Sequence, residues 1–346
     1  MENNVSLMRS IERLFGELFT DNTITEIVIN RYNEIWYENE DGWAKGTPEQ
    51  CERVTKDNVQ TFAVAVAASC NQQLDESNPI LGTTLPTNER IQFVQPPSVP
   101  EGQFSITIRK PMSRSMSLDE YQASGFFDNI IVGEAIRPID RQLATLLDEK
   151  RYREFFEVAI ESGLFNIAIA GATGSGKTTL FKAFMQCIGV DERLITIEDV
   201  RELFDDVHQN TVNLLYPSEV TPNEKAVTPA RLLKSCLRMK PDRILLAELR
   251  AGETFDYINA ISSGHGGSIT TLHAGSKEEV IRRLTLMTLQ NPTGSTLPYD
   301  TARGIIEDTI DIITHVGRIN GKRGLTSLYW KDYEKVKAIM HNELNE

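Results

Sequence analysis

The chain has 346 residues, 40% hydrophobic and 25% charged, with 36 basic against 49 acidic side chains and a net charge of −13. That length predicts two domains, and the composition excludes a disordered or low-complexity chain. So acidic a chain exerts no global pull on nucleic acid, and no direct sequence-specific nucleic-acid binding is expected.

No stretch approaches the ~18–20 uninterrupted apolar residues of a transmembrane helix. The opening Met1-Glu2-Asn3-Asn4 has no basic segment followed by an apolar run, so no signal peptide is expected. Both features predict a cytoplasmic protein. Cys51, Cys70, Cys187 and Cys236 form no C-x-x-C pair, which argues against a zinc module or disulfide framework. Cys70, Cys187 and Cys236 have apolar neighbours and read as small core residues.

In chain order, Leu14, Phe15, Leu18 and Phe19 have helical spacing within 12–19. Residues 25–29 and 34–38 read as strands, and Asp41-Gly42 as a turn before Trp43. Val59, Phe62, Ala63, Val66, Ala67 and Cys70 make a helical face, with Asp57 or Asn58 as N-cap. Residues 90–94 and 104–109 read as strands. In the second, Phe104, Ile106 and Ile108 point one way, and Ser105, Thr107 and Arg109 the other. Residues 141–164 are helix-rich. From Asn166 onward short apolar runs at 166–170, 194–197, 243–247 and 268–272 alternate with helices, which predicts a parallel sheet buried on both faces. A helix capped by Thr228 starts with Pro229 and stops at Pro241. Asn320-Gly321 marks a hairpin. No internal repeat is present. The predicted class is α/β, with an N-terminal α/β domain over 1–135, a helical linker over 136–163 and a second α/β domain over 164–346.

Gly171-Ala172-Thr173-Gly174-Ser175-Gly176-Lys177-Thr178 fits G-x-x-x-x-G-K-[ST], with a buried strand before it and a helix from Thr179 after it. Glycines let the backbone wrap a phosphate, and the helix N-terminus adds its positive end. Lys177 can meet the β- and γ-phosphates of ATP, and the Thr178 hydroxyl can ligate Mg²⁺. Thr179 completes the candidate nucleotide contacts. No N-K-x-D string of a guanine-specific site occurs.

Two strands end in carboxylates. Residues 195–197 run into Glu198 and Asp199, and 243–247 run into Glu248. Ligands gather at the carboxyl ends of parallel strands. Glu198 is therefore a candidate to orient or deprotonate the attacking water, and Glu248 a candidate to hold the Mg²⁺ shell or polarise that water. His273 follows the strand after Gly264-His265-Gly266-Gly267 and is a candidate γ-phosphate sensor.

Taken in order, these boxes resemble the secretion-superfamily traffic ATPases, and among them the ring-forming ATPases of type IV secretion and conjugation. The matching parts are 171–178 (Walker A), 195–199 (acidic box), 243–250 (Walker B, RILLAELR) and 263–274 (histidine box, SGHGGSITTLHA). Upstream, 89–92 and 105–111 are similar to the family's N-terminal domain. The resemblance implies an N-terminal domain with a curved sheet and a C-terminal RecA-like P-loop motor domain. It also implies a homohexameric ring and partners among the cytoplasmic and inner-membrane components of a secretion machine. Peripheral contact with the cytoplasmic face of the inner membrane follows from the same resemblance. It maps the family's phosphate-reaching arginines onto Arg90 and Arg109. Ala247 stands where many members carry Gly. The absence of a four-cysteine module favours the type IV branch over type II.

Arg231, Lys234 and Arg238 share a helical face that reads as solvated or as a subunit contact, and Arg250 stays unassigned. The implied function is an ATP-driven motor for pilus assembly and protein or DNA transfer. The alternatives are a nucleic-acid translocase with the same core and a nucleotide-binding scaffold without turnover.

Overall fold

The computed structural model describes residues 2–111, 116–128, 130, 136–218 and 227–343. The boundary expected at 135 falls outside the described residues.

The N-terminal part comprises α1 (Glu2–Phe15), α2 (Glu17–Thr20), β1 (Glu26–Arg31), β2 (Trp36–Asn39), β3 (Gly42–Lys45), α3 (Pro48–Glu52), α4 (Lys56–Ser69), β4 (Ile80–Thr84), β5 (Arg90–Val94) and β6 (Gln103–Arg109). Its six strands run in the order β3-β2-β1-β6-β5-β4, each pair antiparallel. Helices α1 and α4 cover one face, where Leu14, Phe15 and Phe62 pack on Ile27, Ile106 and Ile108. The expected helix over 12–19 is broken at Gly16, which has φ of 52°. Helix α4 is capped by Thr55, whose hydroxyl accepts from Asn58 N. Asp57 and Asn58 lie two and three residues past the cap, inside the first turn.

The alternation in β6 predicts one buried face and one solvated face, yet Ser105 and Thr107 are as buried as Ile106. The second face is covered by the rest of the chain. Gln92, paired with Thr107, donates to Ser235 Oγ, and Val94 and Val99 join the neighbouring core.

A short helix, α5 (Leu118–Ala123), lies between the two parts. The remainder holds α6 (Pro138–Asp148), α7 (Tyr152–Glu161), β7 (Ile167–Ala170), α8 (Lys177–Met185), β8 (Leu194–Glu198), β9 (Thr211–Leu215), α9 (Pro229–Cys236), β10 (Arg243–Leu246), α10 (Glu253–Ser262), β11 (Ile269–Leu272), α11 (Lys277–Thr288), α12 (Tyr299–Thr309), β12 (Ile312–Ile319), β13 (Lys322–Trp330) and α13 (Tyr333–Glu343). The sheet order is β13-β12-β7-β11-β10-β8-β9. All neighbours are parallel except β12 and β13. Asn320 and Gly321 make the two-residue turn of that pair with φ of 50° and 80°, as the dipeptide predicts.

Two details differ from the sequence expectations. Helices α6 and α7, read as a linker, are built into the second core. Leu143, Phe155 and Phe156 pack there with Phe181, Phe184 and Trp330. Of the cysteines expected in the core, Cys236 is buried, while Cys70 and Cys187 are only half-buried.

The N-terminal sheet lies along edge strand β9 and helix α9. Arg31 donates to the carbonyls of Gln209 and Thr211, and Leu215 N donates to Ser98 O. Arg193 is fully buried at this junction. It donates to Asn30, Asn210 and the Met239 carbonyl, and it lies over the Trp43 ring.

Candidate active site

Helix α8 starts at Lys177 with Gly176 as N-cap and no side chain bonding its first turn. Its leading N–H groups therefore open into the loop over β7, as anion binding requires. Gly176 has φ of 110°, which a side chain would strain. A Cβ at Gly171 would collide with the Val316 carbonyl of β12. Glycine is needed there because the loop crosses a neighbouring strand.

Above the loop lies a cleft of about 350 Å³. Thr173, Gly174, Gly176, Lys177, Thr178 and Thr179 form its floor, and Glu248 and His273 its wall. Gly171, Ala172 and Ser175 lie behind that surface. The first two turn their carbonyls to Lys177 Nζ at 2.9 and 3.1 Å. The third bond of Lys177 goes to His273 Nδ1 at 3.4 Å. Burial lowers the ammonium pKa, with the Glu248 charge acting the other way.

The strand order brings the boxes together. Thr271 Oγ1 of β11 donates to the Ala247 carbonyl at 2.8 Å, and Leu249 N donates to the Thr271 carbonyl. Glu248 and His273 thus stand side by side. His273 Nε2 lies 3.0 Å from Glu248 Oε1. With Lys177 donating to Nδ1, the ring presents its N–H from Nε2 to the carboxylate. On the far side, Glu248 Oε2 accepts from Arg250 Nε and Nη2 at 2.9 and 2.8 Å. Arg250 Nη1 donates to Asp199 Oδ2 at 2.6 Å. A continuous polar chain Asp199–Arg250–Glu248–His273–Lys177 links all four boxes.

Glu198 does not line the cleft. Its Oε2 accepts from Glu202 N and Leu203 N, both at 2.8 Å, and its Oε1 from Thr196 Oγ1 at 3.1 Å. It is fully buried, and burial pushes its carboxyl above the usual range despite those bonds. Asp199, the next residue, clears the strand end and reaches the cleft instead.

Arg90 and Arg109 are also elsewhere. They are paired across β5 and β6, and Arg109 Nε is 3.5 Å from Glu26 Oε1. Their sheet flanks β9, four strands from β7, or about 19 Å at ~4.8 Å per strand. Within one chain they do not meet the P-loop. The basic helical face divides as well: Lys234 is 3.7 Å from Asp256 Oδ1, and the Arg238 guanidinium lies against Gly82 of the N-terminal sheet. Sequence reading missed Arg323, whose Nη2 donates to the Gly174 carbonyl at 3.1 Å. Its position two residues past the hairpin turn was a usable signal only once β12 was known to lie beside β7.

A parallel sheet with a phosphate loop after β7 and a carboxylate–imidazole pair over its carboxyl edge defines a P-loop ATPase domain. Residues 13–315 match the family model described as type II/IV secretion system protein. VirB11 of Brucella abortus is 43% identical over 329 residues, covering 93% of this chain and 90% of the relative. PtlH of Bordetella pertussis is 40% identical over 315 residues, covering 89% and 91%. The structure of the VirB11 ATPase from the Brucella suis type IV secretion system, in complex with sulphate, superposes with a TM-score of 0.88 at 39% identity over 98% of each chain. The chain belongs to the type II/IV secretion system protein family and is a traffic ATPase of its type IV branch.

Proposed function

We propose that this ATPase works as a Mg²⁺-dependent homohexamer, driving pilus assembly and protein or DNA transfer in a type IV secretion system. The observation that carries the reading is the convergence of Lys177, Glu248 and His273 on one cleft above a helix N-terminus. Lys177 leaves the Gly171 and Ala172 carbonyls and meets the β- and γ-phosphates. The first-turn N–H groups of α8 bind the same oxygens. Glu248 polarises the attacking water, and His273 reports the γ-phosphate to Glu248 and Lys177.

The donor set fits Mg²⁺. Thr178 and Glu248 offer hard oxygen ligands, and the described residues contain no cluster of three or more His, Cys, Asp or Glu that would cage a metal alone. That is how Mg²⁺ is held when phosphates supply most of its shell. When bound, the ion neutralises charge on the β- and γ-oxygens.

Arg90 and Arg109 reach a nucleotide only if it belongs to another subunit, because their own P-loop is four strands away. This supports a ring in which each site is completed by its neighbour. Among the described residues no helix is long and apolar enough to cross a membrane. From its kinship with the type IV secretion relatives we assign a cytoplasmic location, with peripheral inner-membrane contact through other machine components.

The test is steady-state ATP turnover with Mg²⁺ and with chelator, beside the mass of the assembly with and without nucleotide. Wild type should hydrolyse ATP only with the metal and run as a hexamer. Lys177→Ala should lose turnover by about a hundredfold or more. Lys177→Ala turnover within a few-fold of wild type would sink the site reading.

A further inference from the structure

Both oxygens of Glu248 already have partners, and Oε2 accepts two bonds. Oε1 is held by His273, and Oε2 by Arg250. Asp199 is held by the remaining nitrogen of the same guanidinium. One cation therefore bridges two of the three carboxylates, Asp199, Glu202 and Glu248, that line the cleft among the described residues. A metal shell or an attacking water cannot use Glu248 Oε2 while that bridge stands.

Arg250 is suited to moving away. Its backbone is fixed: Arg250 N and Ala251 N both donate to Glu253 Oε1, at 2.7 and 2.9 Å. Its side chain is 49% exposed, against 18% for each carboxylate. A half-exposed guanidinium can return to water with little desolvation cost, whereas the two carboxylates cannot leave. The backbone is pinned, and the half-exposed side chain is held by its ion pairs to Glu248 and Asp199.

We propose that Arg250 is a latch on the metal side of the nucleotide site. It neutralises Glu248 and Asp199 and competes with Mg²⁺ for them. It swings out when Mg²⁺ arrives with the phosphates, so it is a positioning residue acting through Glu248. This rests on the nucleotide-site reading above and deepens it.

The prediction is about binding, not turnover. Without Arg250 the two carboxylates face the phosphates uncompensated. Metal-free nucleotide should bind more weakly, and the metal complex more tightly because no cation need be displaced. The ratio of metal-free to metal-bound Kd should therefore rise by roughly five- to tenfold or more, as expected for loss of one or two partly exposed ion pairs.

The experiment is equilibrium titration of full-length protein with a non-hydrolysable ATP analogue, in Mg²⁺ and in chelator, for wild type, Arg250→Gln and Arg250→Lys. Support is a raised ratio in Arg250→Gln, with Arg250→Lys between it and wild type because one ammonium cannot bridge both carboxylates. Two outcomes overturn the latch while leaving the nucleotide site intact. One is an unchanged ratio beside a lowered Tm, which marks a merely structural arginine. The other is weakened binding of the metal complex, which marks a direct phosphate ligand. If wild type binds no analogue in either condition, the site reading fails and the latch with it.

Discussion

At the scale of single residues, the two strand-end carboxylates differ in what holds them. Glu198 is buried and accepts two backbone N–H groups of the following loop, so a glutamine keeps an acceptor there. Glu248 faces the cleft with its charge shared between His273 and Arg250. Glu198→Gln should keep turnover within about fivefold, whereas Glu248→Gln should lose about a hundredfold or more, the range of a general base. Glu198→Ala should cost about 1–3 kcal/mol, because Leu203 N and Glu202 N lose their partner. Turnover and chemical denaturation of the three variants decide it, and a dead Glu198→Gln would move the base to Glu198. The sequence brings Glu198 and Asp199 together at the end of one strand and cannot say which turns inward. That depends on the loop 199–208 folding back over Glu198, a tertiary event.

Among the elements, that loop carries a pH-sensitive pair. His208 closes it, with Nδ1 2.5 Å from Asp205 Oδ2 and Nε2 3.0 Å from the Ile188 carbonyl after α8. Burial alone would lower the His208 pKa. The Asp205 and Ile188 bonds outweigh it and raise it above the ordinary 6.5. Asp205 is likewise pushed up by burial, but the His208 bond holds it below 3.8. The histidine's contribution is complete below pH 6.5 and is lost as pH rises through its raised value. The aspartate's is complete above 3.8 and is lost in acid. The Tm advantage of wild type over His208→Gln should therefore be largest near pH 5–6 and shrink towards pH 9. A constant difference across that range would mean that the pair does not titrate as a charged pair. Strand β8 before this loop was legible because it is a short apolar run, and α8 because a phosphate-loop pattern precedes it. Strand β9 was not read, since Thr211–Leu215 has Asn213 at its centre and its partner is distant in sequence.

On the scale of the whole molecule, the two cores contribute unequally to one another. The N-terminal part gives the motor core Val94 and Val99, with half-buried Ile80 packed beside them, and meets it besides through polar groups such as Gln92 and Asn30. Polar interdomain faces of this kind separate more readily than apolar ones. Residues 138–161 are different. They supply Leu143, Ala144, Leu146, Phe155, Phe156, Ala159 and Ile160 to the core around β7 and α8. The Ile160 carbonyl also accepts from buried Arg243, at 3.0 Å. Sequence reading placed the linker here because a helix-rich stretch separates two different strand patterns, and an apolar helix face does not reveal which domain covers it. We place the motor unit from residue 136 onward. A fragment starting at 164 loses two buried phenylalanines at ~3–5 kcal/mol each, against a typical total stability of ~5–15 kcal/mol. It should not unfold cooperatively. A fragment starting at 136 loses Val94, Val99 and the polar junction, far less than the helices over 138–161 supply, and leaves Arg193 with Asn210 and the Met239 carbonyl. It should unfold in one transition and bind nucleotide. Its turnover should still fall below that of the full chain by roughly one to two decades, since each Arg109 or Arg90 contact to a phosphate is worth ~1.5–3 kcal/mol. Calorimetry and ATP turnover on both fragments, beside full-length Arg109→Ala, check the two halves separately. A cooperative melt from the 164 fragment refutes the placement. Full turnover from the 136 fragment refutes a role for the N-terminal arginines in a neighbour's site.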